Sequence, residues 1–225
     1  MGSTTTLTST DGFQLGAYLA EPAGKPLGGV VVIQEIFGVN GHIRSVVDGY
    51  AADGYLAIAP ALFDRIRPGV ELGYAEADIA AGAEMARGKT DTAKALDDIR
   101  AAAAVVAGAG KVAVVGYCWG GLLTALSAIR LGDVFSAAAA YYGGGTPTLA
   151  DQTPVVPMVM HYGEHDHAIP LADVEKLRAA WPSVGFHIYD AHHGFNCDQR
   201  GSYDAASAAL ARQRTLAFFG SHLGA

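Results

Sequence analysis

The 225-residue sequence predicts an α/β protein, a mostly parallel sheet with helices on both faces. Three observations predict it. Short runs such as "GGVVVIQEI" and "KVAVVGYC" are apolar at consecutive positions, as strands buried on both faces require. Segments of helical length and period alternate with these runs along the chain. Hydrophobic residues make up 51% of the chain and charged residues only 16%, which suits one large core and excludes a disordered chain.

Taken in order, "TTLTSTDGFQLGAYLAEP" alternates and turns at Asp11-Gly12, which predicts a hairpin. "GGVVVIQEIFG" is a buried strand that breaks at Glu35. "HIRSVVDGYAADG" is a helix, with Val46, Val47 and Tyr50 on one face and Gly54 as its stop. "YLAIAPAL" is the next buried strand. A loop through Pro68 and Gly69 leads to a helix from about Ala75 to Arg87. A second helix runs from about Thr90 to Ala107, with Leu96, Ile99 and Val105 assigned to its apolar side.

"KVAVVGYC" is then a strand, "GGLLTALSAIRL" a helix, and "FSAAAAYYGG" and "VPMVMHYGEHD" are strands. The helix "LADVEKLRAAW", the strand "GFHIYD", a loop through "AHHGFNCDQRGS" and a helix from about Ala205 to Phe219 complete the order. No repeat, low-complexity tract or linker interrupts it, so residues 1–225 are expected to form a single domain.

A formal charge of −7 with no basic stripe argues against nucleic acid as a partner. The first residues lack the basic and apolar regions of a signal peptide, and no apolar run nears the roughly 18 residues of a membrane span. Two cysteines, Cys118 and Cys197, make no disulfide framework. A cytoplasmic protein is expected, without a membrane partner. Its core-facing helices leave no exposed apolar stripe, so it is expected to be a monomer.

Chemistry on such sheets collects at the carboxyl ends of the strands, where Cys118 falls in "GYCWGG". Glycine-x-nucleophile-x-glycine makes a tight strand-to-helix turn in which the flanking glycines remove clashing β-carbons. The turn exposes the thiol and aims the amide of Trp119 at the same space. The positive end of the following helix favours a thiolate or a developing oxyanion there. A buried, inert cysteine is the competing explanation.

A nucleophile needs a base, and the base an orienting acid. "MHYGEHDHAIP" ends a strand and offers Glu164 and Asp166; "YDAHHGF" ends the last strand and offers His192 and His193. Asp166 is preferred because it lies deeper in its loop, ahead of Ile169-Pro170. His193 is preferred because Gly194 frees its backbone. Five of the eight histidines (His161, His165, His167, His192 and His193) cluster in or beside these loops, which raises a metal site as the rival. H-x3-H-x-H matches no strong zinc spacing, so no metal is expected. His161, His165, His167 and His187 read as structural or surface residues.

"QEIFGVN", "GYCWGG", "GEHDHAIP" and "HGFNCDQRGSY" together resemble the dienelactone hydrolase family, over essentially the whole chain. The resemblance implies the α/β-hydrolase fold, with Cys118 as nucleophile, His193 as base and Asp166 as acid. Glu35 then matches the family's motif glutamate, which holds the resting thiol neutral and assists its ionisation when a substrate carboxylate displaces it. Without such a role, Glu35 is a strand-end carboxylate that caps or pairs with an arginine. The backbone amides of Ile36 and Trp119 would form the oxyanion hole. The implied reaction opens a small carboxylated enol-lactone through an acyl-enzyme, for example 4-carboxymethylenebut-2-en-4-olide to maleylacetate, without any cofactor.

The departure from the family lies in carboxylate recognition. Glu76 and Asp78 stand where an arginine is expected, with Arg87 only at the end of that helix, and Cys197 takes the expected arginine position after His193. Arg200 follows in a loop that can reach back; Arg65 and Arg67 belong to another overhanging loop or to the solvated surface. Tyr142 and Trp119 line the pocket or simply pack. A general carboxylesterase or thioesterase with the same residues, and a non-catalytic scaffold, are the alternatives. The complete set of Glu35, Cys118, Asp166 and His193 argues against a scaffold.

Overall fold

The computed structural model describes residues 1–224. Its centre is one eight-stranded sheet, made of β1 (Ser3–Thr8), β2 (Gln14–Ala20), β3 (Gly29–Ile33), β4 (Leu56–Pro60), β5 (Val112–Tyr117), β6 (Ala137–Tyr141), β7 (Met158–Gly163) and β8 (Gly185–Tyr189). The strand order is β1-β2-β4-β3-β5-β6-β7-β8. β1 and β2 pair antiparallel, as does β2 with β4; every pairing from β4 to β8 is parallel. Helices α1 (Gly41–Ala52), α2 (Glu76–Glu84), α3 (Thr92–Val106), α4 (Trp119–Arg130), α5 (Leu171–Ala180) and α6 (Ala205–Leu223) pack around it.

The hairpin turns where its sequence requires. Gly12 has a φ of 81°, and its amide donates to the Ser9 carbonyl at 2.9 Å. The central strands β3, β5, β6 and β7 are buried at every position, which explains their unbroken apolar runs. In β6 the run is four alanines, Ala137 to Ala140, all at 0% exposure. Helix propensity would favour a different conformation for them. Pairing between β5 and β7 overrides it, and the small side chains let α4 approach the sheet closely.

Two helix boundaries differ from the sequence expectation. α2 stops at Glu84 and the chain continues as a π-helical turn, Met85–Lys89, before α3 begins behind its Asp91 cap. α6 runs on to Leu223. On α3 the buried stripe is Leu96, Ile99, Ala103 and Val106, whereas Val105 is 45% exposed. Val105 lies two turns out of phase with neither Leu96 nor Ile99 as an i+3 or i+4 neighbour, so alanines complete the apolar face instead.

No helix among the described residues is long and apolar enough to cross a membrane.

Candidate active site

β5 runs into Cys118, the N-cap of α4, whose backbone has φ 55° and ψ −118°. Only Cys118 and Tyr142 combine a side chain with positive φ among the described residues. Such a conformation costs roughly 1–3 kcal/mol and persists only where the surroundings enforce it. Here they do so through close packing. A Cβ on Gly116 would meet the Gly120 carbonyl oxygen at 2.1 Å, and one on Gly120 would meet the carbonyls of Ile33 and Gln34 at 2.5 Å. The elbow is thus wedged between its own two ends and the end of β3. The Cys118 thiol is partly exposed, in a cleft of about 440 Å³ lined by Ile36, Ala86, Arg87, Trp119, Leu122 and His193, among others.

The loops after β7 and β8 bring Asp166 and His193 to this cleft. Asp166 Oδ1 accepts the amides of Ala168 (2.8 Å) and Ile169 (3.2 Å), which leaves Oδ2 directed at His193 Nδ1, 2.7 Å away. The Asp166 side chain is fully buried; that of His193 is 20% exposed. Burial works against a charged imidazole, but hydrogen bonds with Asp166 and with Cys118 outweigh it and raise the His193 pKa from 6.5 to about 10. The Nδ1–Asp166 bond fixes the tautomer and leaves Nε2 for the thiol. Glu164 is exposed, and His192 turns away to the carbonyl of His165.

Trp119 is the first residue of α4, so its amide has no intrahelical partner. Neither it nor the amide of Ile36 donates to another backbone group among the described residues. The Ile36 peptide is gripped by α2: a Cβ on Gly82 would lie 2.1 Å from the Ile36 carbonyl oxygen. Trp119 stacks on Phe63 with ring centroids 5.2 Å apart.

Glu35 is placed differently from the resting arrangement that the resemblance implies. It is 1% exposed, and its carboxylate makes no hydrogen bond with Cys118 or any other group among the described residues. Instead Arg200 Nη1 lies 3.7 Å from Glu35 Oε1. The Arg200 guanidinium packs against Gly194, where a Cβ would come within 2.5 Å of Nη1. Arg200 therefore stands behind His193, facing Glu35, and does not line the cleft. Pairing with an arginine is the simpler of the two roles foreseen for this glutamate.

The remaining substrate-contact candidates also lie off the cleft. Arg67 is exposed and away from it; Arg65 is committed to Asp98 at 2.7 Å and to Asp11 at 2.9 Å. Tyr142 is fully buried, its ring centroid 5.1 Å from that of His193, so it packs behind the imidazole. The cation that does line the cleft is Arg87, on the π-helical turn. Its neighbour Lys89 pairs with Glu84, whereas no carboxylate pairs with Arg87 among the described residues. The sequence marks Arg87 only as the end of a helix, and nothing local to it shows that this end faces the cleft.

Comparisons with known proteins agree with this geometry. Residues 15–223 match the model of the dienelactone hydrolase family. The carboxymethylenebutenolidase of Pseudomonas putida is 32% identical, over 94% of this chain and 93% of the relative. A Synechocystis protein provisionally given the same name is 37% identical, over 93% of each chain. A crystal structure from Klebsiella pneumoniae, provisionally classed as a dienelactone hydrolase, superposes with a TM-score of 0.88 at 33% identity, covering 98% of both chains. With its sheet order and elbow those of the α/β-hydrolase fold, the chain belongs to the dienelactone hydrolase family.

Proposed function

We propose that the protein is a cysteine hydrolase that opens a small carboxylated enol-lactone through a Cys118–His193–Asp166 triad and an acyl-enzyme. The observation that carries this reading is the strained, partly exposed Cys118 sharing one cleft with a histidine whose far nitrogen is held by a buried carboxylate. With its pKa raised to about 10, His193 holds a proton at neutral pH beside the attacking sulfur of Cys118.

The thiolate adds to the lactone carbonyl, and the amides of Ile36 and Trp119 receive the developing oxyanion. Collapse breaks the ring C–O bond. His193 gives its proton to the departing enolate, which becomes a ketone. Acylation also removes the Cys118 charge, one of the causes that raise His193. Its pKa then falls, and the neutral imidazole can take a proton from the water that hydrolyses the thioester. On 4-carboxymethylenebut-2-en-4-olide this gives maleylacetate. Arg87 is the anchor for the substrate carboxylate in this scheme, because Arg200 is engaged with Glu35. A monomeric, cytoplasmic enzyme that uses no cofactor completes the proposal.

A general carboxylesterase is the second reading, favoured by the absence of an arginine at the family's expected positions. Loss of the ultraviolet absorbance of cis- and trans-dienelactone distinguishes the two, measured beside a neutral nitrophenyl ester. Rapid loss with wild-type protein, abolished in Cys118→Ala, is expected, with Arg87→Gln raising KM for the lactone alone. Turnover of the nitrophenyl ester only would move the protein to the esterase reading.

A further inference from the structure

Behind the cleft lies a second set of reactive groups that the proposed hydrolysis does not consume. Glu35 follows β3, His42 sits in the first turn of α1, and Cys197 belongs to the loop before α6. They are 1%, 3% and 0% exposed, and one ligand atom of each lies within 4.8 Å of the others. Both Glu35 carboxylate oxygens and His42 Nε2 lack a hydrogen-bond partner. Buried polar atoms in native proteins nearly always have partners, so three unpartnered ones on two residues clustered with a buried thiol call for an explanation.

The tautomer of His42 supplies the next clue. Its Nδ1 lies 3.1 Å from Asp198 Oδ1, which makes Nδ1 the protonated nitrogen and leaves a lone pair on the buried, unpartnered Nε2. A carboxylate on the outer nitrogen of a histidine is the arrangement that orients imidazole toward a metal. His42 and Asp198 also border a surface groove with Asn196 and Tyr203, which gives an ion a route in from a side remote from Cys118.

We propose that Glu35, His42 and Cys197 form a binding site for a zinc-class divalent cation. The donor set of one carboxylate, one imidazole and one thiol suits zinc and excludes calcium or magnesium, which take oxygen ligands. Tetrahedral zinc at ordinary bond lengths holds its ligand atoms about 3.3–3.8 Å apart, so the three side chains close in by about 1 Å. A fourth position stays open to water.

The ion displaces the proton of the Cys197 thiol, a Zn–S bond forms, and one proton passes to solvent. In the metal-free protein that thiol lies 3.3 Å from the Tyr74 hydroxyl, a contact the ion replaces. Arg200 opposes the ion, since its guanidinium stands 3.7 Å from Glu35. It is one-fifth exposed and must turn outward when the ion enters. Because Cys197 sits in the loop that follows His193, an ion bound there disturbs that loop, so occupancy slows hydrolysis and a chelator restores it.

Calorimetric titration of untagged Cys118→Ser protein with ZnCl2 tests the site directly, since the substitution removes the competing thiol and the readout does not depend on turnover. One ion per chain is expected, with about one proton released and affinity rising about tenfold per pH unit below the thiol pKa. His42→Gln and Cys197→Ala are expected to lose more than the 10–100-fold typical of an outer partner, and Asp198→Asn to lose 10–100-fold. Arg200→Gln is expected to tighten binding by about tenfold. Cobalt should give a thiolate charge-transfer band that Cys197→Ala abolishes, and circular dichroism checks that each variant is folded. No stoichiometric binding, or binding indifferent to His42 and Cys197 in folded variants, overturns the proposal and leaves the hydrolase reading untouched.

Discussion

Two histidines, His161 within β7 and His193 in the loop after β8, have pKa values shifted in opposite directions for reasons visible in their partners. His161 lies inside β7 at 0% exposure, with Nδ1 2.8 Å from the Tyr189 hydroxyl and Nε2 3.0 Å from Thr215 Oγ1. Thr215 continues to the Tyr141 hydroxyl at 2.7 Å. These hydroxyl partners do not offset burial. Desolvation, reinforced by the charges of His187 and Arg214, holds the His161 pKa well below 6.5. His193 also loses solvation, yet its carboxylate and thiol partners carry it to about 10. Burial does not set the charge of a histidine; the partner does.

The largest expected effect comes from removing the partner that makes His193 different. Asp166→Asn keeps the shape but cannot hold the imidazolium, so kcat is expected to fall about 10⁴-fold in steady-state kinetics. The His193 pKa followed by NMR should move down toward its ordinary range. An unchanged pKa would break the comparison at its root.

A smaller effect is expected from Gly82→Ala, which touches neither histidine. Its methyl group would press on the Ile36 carbonyl and, through the shared Ile36 Cα, shift the adjoining peptide whose amide would bind the oxyanion. A displacement of about 1 Å corresponds to roughly 100-fold in kcat, with the His193 titration unmoved. Loss of activity together with a shifted titration would mean that the two sides of the cleft are not independent.

The smallest effect should appear in stability. His161→Phe removes one hydrogen-bond partner from each of the Thr215 and Tyr189 hydroxyls and is expected to cost about 1–3 kcal/mol in urea unfolding, with little change in kcat. The two histidines also act on opposite flanks of the pH profile. The His161 contribution is complete above 6.5 and is lost as acid protonates the unfolded chain first. The His193 contribution is complete below 6.5 and is lost as pH rises toward about 10. His161→Phe should therefore flatten the acid flank, and Asp166→Asn the alkaline one.

Much of this was legible in the sequence because it is local. Strand-sized apolar runs and glycine stops mark the sheet, and the "GYCWGG" elbow announces its own turn. The loops carrying Asp166 and His193 follow their strands directly, so chain order alone brings them near Cys118. What escaped depends on contacts across the chain. Glu35 and Arg200 are 165 positions apart, and nothing near either one names the other. Arg87 lines the cleft from a π-helical turn that follows α2, a change of winding that apolar periodicity does not reveal. Val105 was assigned to a face that Ala103 and Val106 fill, since alanine carries too weak an apolar signal to set the phase.

That π-helical turn has a consequence for how such a protein can change over time. The elbow, Asp166 and His193 rest on strands whose neighbours tolerate almost no added volume, so variation there is closed. Met85–Lys89 is a single turn on the opposite wall, bounded by a cap and presenting Arg87 and Lys89 at the surface. Deleting one residue from it would rewind the turn and swing residue 87 about 100° around the helix axis, without disturbing the sheet. New substrate preferences can therefore arise at one place by insertion, deletion or exchange of a single residue, while the bond-breaking parts are inherited unchanged.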